Sequence, residues 1–203
     1  MTVAAVVFEG ANSAERLHES AMKALNPKYL ELVKELKKER RKLPSMHFID
    51  MTDADKSAVG ARLAKANVSV FSASFWYEST TAMEHEERFS IYTQLVKIVI
   101  TAAFAKHKEL EIAVGKQGGW QEYGRDFLAE LKQIPKDFAQ RGEYRKGEIY
   151  LTSAVKPGIQ LADFYVGGIR DYHRDLPDVH SRIKHQVHTY DVYRQPAVDK
   201  KER

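Results

Sequence analysis

The stretch that most constrains the fold is the later half of a long helical pattern running from about Ala82 to Lys108. Between Leu95 and Ala105 it is apolar on nearly every side. A helix without a polar face has to be covered all round, and packing against a sheet is the usual way to do it. The chain offers strands for that purpose. Val3 to Phe8 reads as a buried strand closed by Glu9-Gly10, and Val68 to Tyr77 alternates around valines and aromatic residues. Leu110 to Val114 ends at Gly115, and Glu148 to Thr152 follows a polar stretch. Leu95 to Ala105 is too short to span a bilayer and has Lys97 and Lys106 beside it, so no membrane is expected.

Helical patterns fill the spaces between these strands. One begins at Ser13 and runs toward Lys42, broken at Asn26-Pro27 into two helices. His47 to Asp50 is expected to be a short extended piece. Thr52 with Asp55 makes a capping-box start for a helix through about Ala66. Trp120 to Gln133 is amphipathic on Phe127, Leu128 and Leu131, Pro135 to Lys146 reads as a loop, and Ile159 to about Arg174 is a last helix. Alternating strands and helices predict an α/β fold in one domain, residues 1–195, with a partly parallel sheet and a charged tail over 196–203.

Composition narrows the function classes. The 203 residues include no cysteine, which rules out disulfides, thiolate metal sites and a cysteine nucleophile, and fits a reducing compartment such as the cytoplasm. No basic region precedes an apolar run in Met1 to Gly10, so no secretory signal is expected. The 32 Lys+Arg against 28 Asp+Glu give a net charge of +4. Much of the positive charge sits in one run, where Lys34, Lys37, Lys38, Arg40, Arg41 and Lys42 face only Glu35 and Glu39. Such a run is either the solvated end of a helix or a patch that contacts phosphates.

Within the last helix Ile159, Ala162, Val166 and Ile169 form an apolar stripe, and Gln160, Asp163, Gly167 and Arg170 fall on a neighbouring face. Each glycine of the pair Gly167-Gly168 weakens a helix by roughly 1 kcal/mol. Close approach of another backbone or a ligand near Asp163 would compensate; a satisfied surface Asp beside a tight packing point is the plainer alternative. The stretch from Ser153 through Pro157-Gly158-Ile159-Gln160-Leu161-Ala162-Asp163 to Gly168 resembles the signature of the domain-of-unknown-function 3800 family. There a strand ending in Ser leads through a Pro-Gly turn into a closing Gln-Leu-Ala-Asp helix. His47-Phe48 and the order of elements that follows fit as well.

The resemblance implies a ribonuclease H-like three-layer domain, a mixed sheet flanked by helices, with acidic side chains around magnesium or manganese that hydrolyse a phosphodiester. Asp163 matches the family's last acidic position. The family's opening Asp-Glu-Ser-Gly strand has no counterpart here. Ser45 and Met46 stand where a Glu often precedes His-Phe, and Lys116 stands where an acid is often found. With the missing acids and the positive charge, the resemblance implies a degenerate domain that binds nucleic acid or a nucleoprotein complex through Lys34–Lys42 and Lys116. The alternatives are an active nuclease, with Asp163 joined by Glu9, Glu78 or Asp50 as catalytic or metal-binding acids, and a protein-interaction module without a nucleic-acid role.

Other groupings point less clearly. His173, His180, His185 and His188 lie among Asp175, Asp178 and Asp191, as in a zinc site or an ordinary pairing segment. Gly115 to Gly119 matches a phosphate loop only loosely. Phe71, Phe75, Trp76 and Tyr77 read as core or as a base-stacking face, and Ser72, Ser74 and Ser79 lie in no nucleophile motif.

Overall fold

The computed structural model describes residues 1–10, 12–42, 44–76, 83–116, 120–174 and 178–194; for 76, 121 and 191–194 only the backbone path is described. It opens with β1 (Thr2–Phe8), α1 (Ser13–Leu25) and α2 (Tyr29–Lys38). The break between these helices is the expected one. Asn26 has an extended backbone, as the residue before proline should, and its side chain accepts a hydrogen bond from the Lys28 N–H at 2.9 Å. α3 (Asp53–Leu63) begins in a reciprocal capping box. Thr52 Oγ1 accepts from the Asp55 N–H, and the Asp55 carboxylate accepts from the Thr52 N–H.

β2 (Val68–Trp76) is the hub. It pairs antiparallel with β1, Thr2 opposite Ser74 through Phe8 opposite Val68, and parallel with β5 (Val187–Arg194). α4 (His85–Lys106) then leads to β3 (Glu109–Gly115), and α5 (Gly124–Gln140) leads to β4 (Lys146–Thr152), which lies parallel to β3. α6 (Pro157–Tyr172) and α7 (Asp178–Ile183) precede β5. The hydrogen bonds thus divide the strands into a three-stranded mixed sheet, β1-β2-β5, and a two-stranded parallel sheet, β3-β4, rather than one mixed sheet.

Period-two alternation splits β1 and β2 between two apolar clusters. Val3, Ala5, Val7, Phe71, Ala73 and Phe75 join α4, α5, β3 and β4 in one; Ala4, Val6, Phe8, Val68 and Val70 join α1, α3, α6 and α7 in the other. α4 alone among the described helices is long and apolar enough to cross a membrane by length and composition. Its buried residues, from Thr93 through Leu95, Val99 and Ile100 to Phe104, pack as those of a core helix do.

Three elements differ from the sequence reading. Phe48–Asp50 is a turn of 3-10 helix, with only His47 extended before it. α5 continues through Pro135 to Gln140, where a loop is expected. Proline inside a helix costs about 3 kcal/mol, but Ile134 and Phe138 extend the stripe of Phe127 and Leu131, and burying two such side chains returns about 3–6 kcal/mol. β5 is a strand that its mixed composition conceals. It is positioned by the buried Gln186, whose amide donates to the Leu63 and Ala66 carbonyls at 2.8 and 2.7 Å and so satisfies the C-terminal end of α3. Tyr165 Oη donates to the Gln186 carbonyl oxygen at 2.9 Å, and burial pushes the Tyr165 hydroxyl pKa up, keeping it a donor. The charged tail lies outside the described residues.

The glycine pair on α6 is a close-approach site. A Cβ on Gly167 would come within 2.1 Å of Phe48 Cγ, and one on Gly168 within 2.8 Å of a Val179 methyl. Gly167→Ala should therefore cost roughly 1–3 kcal/mol in urea unfolding despite better helix propensity. Gly158→Ala, whose Cβ would meet its neighbours at 3.7 Å or more, should be neutral or mildly stabilising. Equal stabilities for the two variants would contradict the packing account.

Candidate functional site

The resemblance-bearing helix begins at Pro157, which suits the first helical position because its missing N–H has no partner there. One turn further on, Gln160 is buried and bonds three partners. Its amide donates to the Val155 carbonyl at 2.8 Å, and its Oε1 accepts from the Met46 N–H and from His18 Nε2 at 3.1 Å. Asp163, three residues later on the same face, accepts the Phe48 N–H at 3.2 Å through Oδ2; His47 Nδ1 lies 3.9 Å from that oxygen. Two acceptors one helical turn apart thus take alternate N–H groups of the segment 46–48. The Phe48 ring lies on Gly167, meets Phe164 edge-on at 5.2 Å, and has Lys56 Nζ 4.4 Å from its centre. Lys56 also reaches the Asp171 carboxylate at 3.7 Å, tying α3 to α6.

What this arrangement can do chemically depends on what else converges on Asp163. Among the described residues no group of three or more histidine or acidic side chains converges where a metal ion could be held. Asp50 is exposed at the end of the 3-10 turn and forms no such group with Asp163. Glu9 is exposed after β1 and accepts from the Asn67 amide at 3.1 Å. Glu78 lies outside the described residues. Lys116 extends the β3-β4 ladder, its N–H donating to the Thr152 carbonyl at 2.8 Å, and its side chain is exposed. Lys34, Lys37, Lys38, Arg40, Arg41 and Lys42 are all exposed on the last turns of α2 and the residues after it, with an ion pair between Arg41 and Glu39.

Of the histidines near the C-terminus, His173 and His180 both pack on Tyr172, while His185 and His188 lie elsewhere. His180 stacks on Tyr172 at 4.1 Å, and burial, then the His173 and Lys184 charges, hold its pKa down. His185 Nε2 lies 3.0 Å from the Ala64 carbonyl, and His188 Nε2 lies 3.0 Å from Lys106 Nζ while its ring stacks on Phe71. Asp178 pairs with Arg182. Asp175, the Asp191 side chain, residues 117–119, the Trp76 side chain, Tyr77 and Ser79 lie outside what is described. Phe71 and Phe75 are core, and the Ser72 and Ser74 hydroxyls bond across strands to Thr189 and Thr2.

Gln160 is the residue whose importance its sequence neighbourhood understates. Its position on the Asp163 face was legible; that it would serve three partners was not. No family model, curated protein or solved structure matches the chain, so the likeness of residues 153–168 to a family signature rests on those residues.

His18 is buried beside Gln160, and burial lowers its pKa from the usual 6.5, partly offset by the hydrogen bond. Its neutral form is therefore the folded form. The stability it contributes is present above the unfolded value and is lost as pH falls through it; the lowered His180 and His188 act in the same direction. Stability should decline from about pH 7 to 5, with a shallower decline in His18→Gln. Identical slopes in urea titrations of the two proteins would remove His18 from the account. Gln160→Ala leaves two buried donors without their acceptor and should cost about 2 kcal/mol at pH 7.5, above the titration.

Proposed function

We propose that the chain is a ribonuclease H-like domain that binds nucleic acid, free or within a nucleoprotein complex, without cutting it. The observation that carries this reading is the use of Asp163. The one carboxylate that matches the family's last acidic position holds the Phe48 backbone, and it belongs to no metal-ligating group of three or more side chains among the described residues. Magnesium keeps several waters and is gripped through one or two carboxylates plus substrate phosphates, and two-metal phosphodiester cleavage draws on a cluster of such ligands. A lone acid with a structural duty gives little grip.

Six exposed cations within Lys34–Lys42 and the further Lys116 support a polyanionic partner, since phosphate binding draws its free energy from released counterions. Their dispersal along an exposed helix end favours backbone contacts over base reading.

The test is fluorescence anisotropy and gel cleavage on labelled single- and double-stranded DNA and RNA, with magnesium or manganese and with EDTA. Expected is binding with a log–log salt slope of about −2 to −4, as for three or four phosphates on single or double strands, and no cleavage with or without EDTA. Asp163→Asn keeps an oxygen for the Phe48 N–H and should bind as the wild type does. Cleavage abolished by EDTA and by Asp163→Asn would replace this reading with an active nuclease. Partner binding that ignores salt would point to a protein-interaction module.

A further inference from the structure

A second basic surface, absent from the sequence reading, lies between α5 and the start of β4. It is an open groove of about 530 Å³. Lys132 and Lys136 stand one turn apart on α5, about 5–6 Å between their Cβ atoms, and Lys146 faces the same groove from β4. Glu148 is the single carboxylate in the lining. Lys132 and Lys136 are exposed and make no ion pair with a described acid; Lys146 pairs with Glu109 at 2.7 Å, both side chains about two-thirds exposed. An exposed pair of that kind is weak, so Lys146 can change partners readily.

At the rim stands Tyr144, 74% exposed. A single exposed aromatic is ordinary on a protein surface; one on the rim of a basic groove is less so. Arg145 holds the backbone that carries it. Its side chain is only 11% exposed, and its three nitrogens donate to the Phe104 carbonyl at 2.7 Å, the Tyr144 carbonyl at 3.0 Å and the Glu143 carboxylate at 2.7 Å. Its guanidinium also packs over the Phe138 ring, 5.0 Å from the centre. Arg145 is therefore a positioning residue. It fixes the backbone that presents the Tyr144 ring and leaves the lysines to meet charge.

We infer that this groove seats a single-stranded nucleic acid, with phosphates on Lys132, Lys136 and Lys146 and a base stacked on Tyr144. Cationic walls with an exposed aromatic platform are the combination that holds single strands without reading sequence. A duplex hides its base faces and gains nothing from Tyr144. The inference rests on the nucleic-acid reading above but moves the principal contact away from Lys34–Lys42. It also moves it away from Lys116, because Gly115 pairs with Thr152 at the far end of the sheet whose near end is Glu109 with Lys146, roughly 20 Å off.

The test is anisotropy with labelled oligo-dT and oligo-U of about 12 nucleotides and a matching duplex, as a function of salt. The full chain is compared with Lys132→Ala/Lys136→Ala, Tyr144→Ala and Lys37→Ala/Lys38→Ala, all changes at exposed positions. The α5 double variant should lower the salt slope by about 1.4, and Tyr144→Ala should weaken single-strand binding on the order of tenfold while sparing the duplex. The α2 variant should bind single strands nearly as the parent does. Groove variants that bind like the parent, with loss confined to the α2 variant, would overturn the groove and leave the nucleic-acid reading standing. No binding by the parent chain would overturn both. Displacement of the oligonucleotide by equimolar poly-glutamate would overturn the groove's assignment in favour of an acidic protein segment.

Discussion

Two side-chain acceptors on α6, Gln160 and Asp163, hold the chain between α2 and α3 by alternate backbone N–H groups, and much of the structure hangs from that hold. Once Met46 and Phe48 are fixed, the Phe48 ring can lie on Gly167 and Lys56 can reach Asp171, which sets α3 against α6. From there Tyr165 bonds Gln186, and Gln186 closes the end of α3 beside the point where β2 begins. β5 starts at the residue after Gln186 and pairs in parallel with β2. The Gln160 and Gln186 steps satisfy buried polar groups that would otherwise cost about 1–3 kcal/mol apiece, so the hydrogen bonds specify which apolar surfaces meet while burial supplies most of the driving force.

Those parts of the fold that follow from local rules were legible. The Thr52–Asp55 capping box, the break at Asn26-Pro27, the strand character of β1, the alternation in β2 and the all-round apolar half of α4 need only near neighbours to explain them. What failed did so because distant contacts overrule local preference. Pro135 reads as a helix end until Phe138 is seen packed against Phe104 at 6.4 Å between rings. β5 has no clean alternation because β2 and Gln186 place it. The glycine pair lay between the two kinds: the need for a close approach could be read, but the ring that approaches, Phe48, could not. For the candidate site, the family likeness marks Asp163 as a metal ligand, and its carboxylate engages a backbone N–H.

Charge shows the same division between composition and arrangement. A net +4 on 203 residues is a weak field, and no partner follows from it. The run Lys34–Lys42 stands out in sequence because its cations are consecutive; the groove cations do not, because Lys132 and Lys136 sit on a helix while Lys146 sits on a strand. The cations at the end of α2 and the groove lysines are alike exposed. What sets the groove apart is the aromatic beside its cations, on a backbone that Arg145 holds by three hydrogen bonds.

The Phe48 contact by itself does not exhaust the Asp163 carboxylate. A carboxylate has about four lone-pair positions, and the Phe48 N–H takes one, so Oδ1 could still meet a cation. The deciding quantity is how many other hard oxygen donors stand within reach, because a hydrated divalent ion yields its waters only to several negative oxygens together. The neighbours of Asp163 are instead His47, Phe48 and the helix that carries it. Burying the 46–48 segment under α6 gave this carboxylate a structural partner, and the same packing brings an imidazole rather than a second acid to its side.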